Sequence, residues 1–164
     1  SYLVHGAALW AAHIPIVPLA PVYTDLYTAT ASALCRTTNA VQEAPAICLL
    51  CGDVVCGGAE CCKRNHRGAC AQHVTTCGCG QGAFFLMRQC QMLLVSTGGR
   101  SCFFASPFVD EFGEEDHNVR RGRPLFLRPN RYMALLQLVF SHAIASEVSK
   151  SRRTSEQYIR AYFY

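Results

Sequence analysis

Ile47-Cys48-Leu49-Leu50-Cys51-Gly52, followed about twenty residues later by Gly68-Ala69-Cys70-Ala71-Gln72-His73 and then Cys77, is the stretch on which the reading of this sequence turns. Two cysteines separated by two residues form a knuckle whose sulfurs converge on one tetrahedral ion, and the following glycine lets backbone amides turn towards them. His73 and Cys77 are four residues apart and share a face on a helical turn; Cys70 lies three before His73 on the same face. The spacing predicts a zinc tetrad of Cys48, Cys51, His73 and Cys77, with Cys70 as the first substitute. Protein would fill all four positions of such a site, so the ion would stabilise the fold and perform no chemistry.

The cysteine usage around this stretch points the same way. Eight of the eleven cysteines (Cys48, Cys51, Cys56, Cys61, Cys62, Cys70, Cys77 and Cys79) fall within 32 residues. Their odd total, the histidine among them and the lack of a signal peptide favour metal over disulfides. Cys35, Cys90 and Cys102 have no partner at short spacing and are expected to be buried small hydrophobes. Cys61 and Cys62, being adjacent, are expected to point in different directions, so that at most one joins a shared site. A second zinc combining Cys56, Cys61 or Cys62 with Cys70, Cys79 or His66 is a lesser possibility. The first five ligands fit a RING finger, but the two further cysteine pairs that a RING needs are absent. A nucleophile–base pair of Cys70 or Cys79 with His66 or His73 is the enzymatic alternative. The thiols are crowded, no Gly-x-Ser-x-Gly or phosphate-cradling loop occurs, and no catalytic residue is assigned.

At 164 residues and 51% hydrophobic the chain has room for one compact core, and with only 16% charged residues it is not a disordered or fibrous chain. It opens on Ser1 without an initiator Met, and a fragment of a longer protein is expected. Residues 1–24 carry no Asp, Glu, Lys or Arg, but Pro15, Pro18 and Pro21 argue against a membrane span, since each removes a backbone donor. A core helix over 2–13, a Pro-rich link, and a second helix over 23–34 are predicted, then a polar loop over 36–45. Beyond the cysteines, apolar runs at 83–88, 91–96 and 101–105 predict an antiparallel meander, its last turn marked by Thr97-Gly98-Gly99-Arg100. A short run at 124–127 adds a possible fourth strand, and Asn130 is expected to cap one helix extending towards Lys150. The tail over 151–164 is not placed. The fold class is therefore α+β: a small zinc-stapled module with a three- to four-stranded antiparallel meander, N-terminal helices and a long C-terminal helix. Residues 1–45 form the leader and link, and 46–164 the zinc module, sheet and last helix.

These residues resemble the extreme C-terminal domain of the large UBR-box ubiquitin ligases, the N-recognins that read destabilising N-terminal residues. The resemblance rests on Ile47 to Gly52, the Cys61-Cys62 doublet, Gly68 to His73 leading to Cys77, and Gly82-Ala83-Phe84-Phe85-Leu86. Its most specific part is Pro107-Phe108-Val109-Asp110, then Gly113-Glu114-Glu115-Asp116, Arg120 to Leu125 and Asn130-Arg131-Tyr132. Leu19 to Leu26 is similar to the leader found just before the family's zinc module. The resemblance implies a non-catalytic, autoinhibitory module of a RING-type ligase, held by zinc on Cys48, Cys51, His73 and Cys77. Its partners would be the upstream domains of the same ligase and, indirectly, the ubiquitin-conjugating enzyme and N-degron substrates, in the cytoplasm or also the nucleus; no nucleic acid and no membrane are expected. These residues contain neither UBR box nor RING, so degron binding and ubiquitin transfer are assigned to none of them.

Two alternatives follow from charge. The net charge is +4, carried by thirteen Arg and two Lys, and Arg120, Arg121, Arg123, Arg128 and Arg131 would serve a zinc-ribbon-like nucleic-acid binder. The five carboxylates from Asp110 to Asp116 would cancel that field. The 110–123 loop itself is either a solvated segment of internal ion pairs or a docking face on which Arg121 is an exposed charge.

Overall fold

The computed structural model describes residues 16–153 and the backbone of 158–160. The helix expected over 2–13 lies outside the described residues. A six-stranded antiparallel sheet is the centre of the fold, formed by β1 (Pro45–Cys48), β2 (Val54–Cys56), β3 (Gly82–Leu86), β4 (Gln91–Ser96), β5 (Arg100–Phe104) and β8 (Tyr158–Arg160), in the order β2-β1-β3-β4-β5-β8. The predicted meander is its β3–β4–β5 part, with Ala83 opposite Leu94 and Leu94 opposite Cys102. The sequence reading missed β1 and β2 because their apolar residues are interrupted by the metal-ligand pattern. It also missed β8, which completes the far edge against β5.

Both faces of the central strands are buried, which is why their sequences read as continuous apolar runs instead of an alternation. On one face Ile47, Ala83, Phe85, Met92 and Leu94 join Tyr23, Phe108, Leu125 and Leu135. On the other Ala46, Cys48, Phe84, Leu86, Leu93 and Val95 meet Cys70, Ala71 and Val74. The period-two geometry of β1 therefore sends Ile47 to the helical face and Cys48 to the opposite one.

The first face is covered by α1 (Tyr23–Thr30), α3 (Pro129–Phe140) and α4 (Ile144–Arg153). Helix α1 stops at Thr30, four residues short of the expected end. Leu34 bridges to Val41 and the Cys35 amide donates to the Ala40 carbonyl at 2.7 Å, so the chain has to double back there. Tyr23 anchors α1: its hydroxyl donates to the buried Met87 carbonyl and its ring meets the edges of Phe85 and Phe108 at 6.3 and 5.9 Å.

The expected single C-terminal helix is two. Its start is Pro129, with Arg128 at the N-cap position instead of Asn130, because the fixed φ of proline suits the first turn and its missing N–H costs nothing there. It ends in a Schellman turn: His142 sits in the left-handed region (φ 55), its amide donates to Val139 O at 3.1 Å, and the Ala143 amide donates to Leu138 O at 3.0 Å. Helix α4 then restarts at Ile144 and lays Ile144, Val148 and Ser151 into the core. The run at 124–127 contributes β7 (Phe126–Leu127), which pairs not with the main sheet but with β6 (Phe108–Val109). No helix among the described residues is long and apolar enough to cross a membrane.

Candidate metal centre

The β1–β2 hairpin builds the first half of the site. Cys48 ends β1, Leu49 donates to Ala83 O at 2.8 Å, and the chain reverses through Gly52, whose φ of +83° only glycine adopts freely. Gly52 N–H returns to Cys48 O and Cys48 N–H to Asp53 O, both at 2.8 Å, and Asp53 N–H points at Cys51 Sγ at 3.4 Å. The second half comes from α2 (Ala69–His73), a short helix laid on the face that carries Cys48. His73 is its last residue and Cys77 follows in a continued turn, with its amide on His73 O at 2.9 Å.

These elements bring Cys48, Cys51, His73 and Cys77 together, with one donor atom of each within 4.8 Å of all the others. Cys51 Sγ lies 3.2 Å from His73 Nε2 and Cys48 Sγ lies 3.9 Å from Cys77 Sγ. A zinc tetrahedron with bonds of ~2.3 Å to sulfur and ~2.0 Å to nitrogen has edges of ~3.5–3.8 Å, and these two separations fall just either side of that range. The His73 ring is fixed edge-on against Phe84 at 5.8 Å. Burial holds the imidazole below its ordinary pKa, opposed by Asp53 and aided by Arg36, which keeps it in the neutral, ligating form. Burial also pushes the Cys48 thiol up to about 12; a bound divalent cation reverses that preference, since it deprotonates the thiol it binds.

Cys70, the expected first substitute, is not in this group. Its side chain is fully buried among Ala71, Val74 and Leu93, on the core side of α2, and burial drives its thiol pKa far upward. His73 Nε2 faces Cys51, not Cys70 or Cys79, so His73 is not placed as a base for either thiol.

A second group is formed by Cys35, Cys56, Cys61 and Cys62; sequence reasoning offered Cys56, Cys61 or Cys62 for a second site but missed Cys35. Two expectations are corrected by it. Cys35 is buried but its sulfur lies 3.8 Å from Cys61 Sγ and 3.4 Å from Cys62 Sγ, so it is not an isolated packing residue. Cys61 and Cys62, 3.8 Å apart at sulfur, converge because a 3-10 turn over Glu60–Cys62 folds both towards one point. Hydrogen bonds from Thr38 above all, and from the Thr37 amide, bring the Cys35 thiol down to about 5. The residues expected to complete a second site, Cys70, Cys79 and His66, are elsewhere. The sequence held one signal that went unused: the two groups interleave along the chain, Cys35 preceding the knuckle and Cys56, Cys61 and Cys62 falling between its two halves.

The 110–123 loop is latched internally. Asp110 is buried; its Oδ1 accepts from the amides of Phe112 (3.0 Å) and Glu114 (2.9 Å), while Oδ2 faces Arg121 at 3.4 Å and Arg123 at 3.7 Å. Asp116 accepts from the amides of Arg120 and Arg121, Arg121 also pairs with Glu114, and Arg131 pairs with Glu115. Arg121 is thus the hub of this network while its side chain stays partly exposed, which matches the internal ion pairs expected for the loop.

The family model described as Proteolysis_6 C-terminal (PRT6_C) matches residues 10–141, most of the chain. The chain is 36% identical over 140 residues to the E3 ubiquitin-protein ligase ubr-1 of Caenorhabditis elegans, covering 81% of this chain and 7% of that protein. It is 30% identical over 146 residues to the E3 ubiquitin-protein ligase UBR2 of Homo sapiens (86% and 8%) and 38% identical over 108 residues to the E3 ubiquitin-protein ligase UBR3 of Homo sapiens (66% and 6%). It spans less than a tenth of the length of these curated relatives. The knuckle, the His73–Cys77 turn and the latched acidic-basic loop all lie inside the matched residues, and the chain belongs to the Proteolysis_6 C-terminal family as a UBR-family C-terminal domain.

Proposed function

We propose that this chain is a non-catalytic, zinc-stabilised interaction module of an E3 ubiquitin ligase that recognises N-degrons, and that it acts by packing on the upstream domains of that ligase, where it restrains their activity. The observation that carries the reading is the closed donor set of Cys48, Cys51, His73 and Cys77: four protein ligands leave no position for a substrate or an activated water. Zinc supplies structural closure there, and the residues that would hold it join β1 to α2. None of the eleven cysteines is joined in a disulfide, which suits a reducing compartment, the cytoplasm or also the nucleus.

The docking face is assigned to α3. Met133 and Phe140, seven residues apart and therefore on one side of the helix, are 55% and 72% exposed. An apolar side on the last helices suits cover by another domain. The nucleic-acid alternative is not favoured, since Arg121, Arg123 and Arg131 face carboxylates of the same chain.

The test mixes the 164-residue chain with the upstream part of its ligase. Binding should be tight for the wild type and weakened at least tenfold by Phe140→Asp, and the chain alone should build no ubiquitin polymer with activating and conjugating enzymes. Equal affinity of both proteins, or chain formation by the isolated module, sinks the reading.

A further inference from the structure

We infer that Cys35, Cys56, Cys61 and Cys62 hold a second structural zinc ion through four thiolates, independent of the Cys48–Cys51–His73–Cys77 centre. The four sulfurs come from three separate segments: the loop after α1, the last residue of β2, and the 3-10 turn over Glu60–Cys62. One donor atom from each lies within 4.8 Å of all the others. The separations of 3.8, 3.4 and 3.8 Å among Cys35, Cys61 and Cys62 lie at or just below the ~3.8 Å edge of a zinc–sulfur tetrahedron. They are far from the ~2.05 Å of a disulfide, which would in any case join two of the four sulfurs and leave the others unexplained.

The surroundings are those of metal-bound thiolates, which take hydrogen bonds from an outer shell of donors. The amides of Thr37 and Thr38 both point at Cys35 Sγ at 3.4 Å, and Thr37 Oγ1 lies 3.4 Å from Cys62 Sγ. Two glutamines brace the site from either side. Gln42 Nε2 donates to Leu34 O and Val54 O at 3.1 and 3.2 Å, and Gln72 Nε2 donates to Cys62 O at 2.7 Å. Four thiolates around one divalent ion carry a net double negative charge, and Arg36 and Arg64 line the groove onto which Cys62 opens.

The fold needs this closure. Between Ala31 and Ala44 only Cys35 and Gln42 are buried, so little apolar burial holds the segment down. Zinc would bind the four sulfurs as thiolates, and the protons that the thiols still carry would go to solvent. It would tie that segment to β2 and, through Gln72, to α2. The two ions would then be nested, each closing a stretch of chain that contains ligands of the other.

The experiment uses the 164-residue chain purified without chelator, measured by native mass spectrometry and by zinc X-ray absorption. Two ions per chain, with an average first shell of seven sulfurs to one nitrogen over the pair, are expected. Cys56→Ser and Cys62→Ser should each lose one ion and keep the one that has a nitrogen ligand; Cys51→Ser should do the reverse. Should the variants not fold, the wild-type stoichiometry and ligand ratio decide alone. One ion with three sulfurs and one nitrogen, or a mass lighter by the hydrogens of a disulfide, overturns the inference and leaves the first centre standing. One ion with four sulfurs overturns the first centre instead, and no ion overturns both.

Discussion

Thiol reactivity reads out both centres in one measurement, because the eleven cysteines differ sharply in exposure. Cys35, Cys48, Cys56, Cys70, Cys90 and Cys102 are buried, Cys62 and Cys77 half-buried, and Cys51, Cys61 and Cys79 exposed. With both ions bound, Cys79 is the one exposed thiol outside the two donor sets. A chromogenic disulfide added to the native protein should therefore titrate one thiol rapidly. If only the first centre held metal, exposed Cys61 and half-buried Cys62 would join it, giving two to three. With neither ion, Cys51 and Cys77 are released as well, giving three to five. A strong chelator should move the fast count from one towards that upper value, and denaturant should then reveal all eleven. Stability should fall in parallel. An ion present at a hundred times its dissociation constant stabilises by ~2.7 kcal/mol, and at ~2–4 °C per kcal/mol for a chain of this size each ion accounts for roughly 5–10 °C of Tm. Three or more fast thiols in metal-replete protein, unchanged by chelator and with the same Tm, would refute the reasoning for both centres.

Two further outcomes test the frame around the site. Tyr23→Phe leaves the buried Met87 carbonyl without its donor and should cost about 1–3 kcal/mol, while Tyr23→Ala also removes the ring packed on Phe85 and Phe108 and should cost about 3–5 kcal/mol. Thermal melting in which Tyr23→Phe matches the wild type would mean that this hydrogen bond does not anchor α1. The Asp110 carboxyl is held below its ordinary pKa by the Glu114 amide first, then by the Phe112 amide and the Arg121 and Arg123 guanidinium groups. A depressed folded-state pKa contributes stability that is present above the unfolded value of ~3.9 and is lost as pH falls through the folded value. Asp110→Asn should therefore be less stable at neutral pH and decline less between about pH 5 and pH 3, read by denaturant titration; parallel declines would detach Asp110 from the acid response of the loop.

Much of this protein was determined by its sequence alone. The Cys-x2-Cys knuckle followed by a His-x3-Cys turn specified four residues that tertiary structure then brings within reach of one point, because both motifs set their geometry locally, over a hairpin and a helical turn. The apolar runs of β3, β4 and β5 and the glycines between the last two specified the meander for the same reason. What lay beyond the sequence depends on distant partners. The chain break at His142 is decided by residues 138–143 closing on one another and by α4 finding the core beyond them. The ion pairs of the 110–123 loop were an alternative in the sequence, but that Asp110 and Asp116 are buried beneath Arg121 was decided only when the loop folded back. The Cys35 group could not be assembled from spacing, because Cys35 and Cys56 each lack a second Cys or His ligand two to four residues away, unlike the paired ligands of the knuckle and of the His73–Cys77 turn. Its sulfurs meet only once β1–β2 pairing and the turn back from α1 have been formed, so long-range closure, and not local propensity, decides that site.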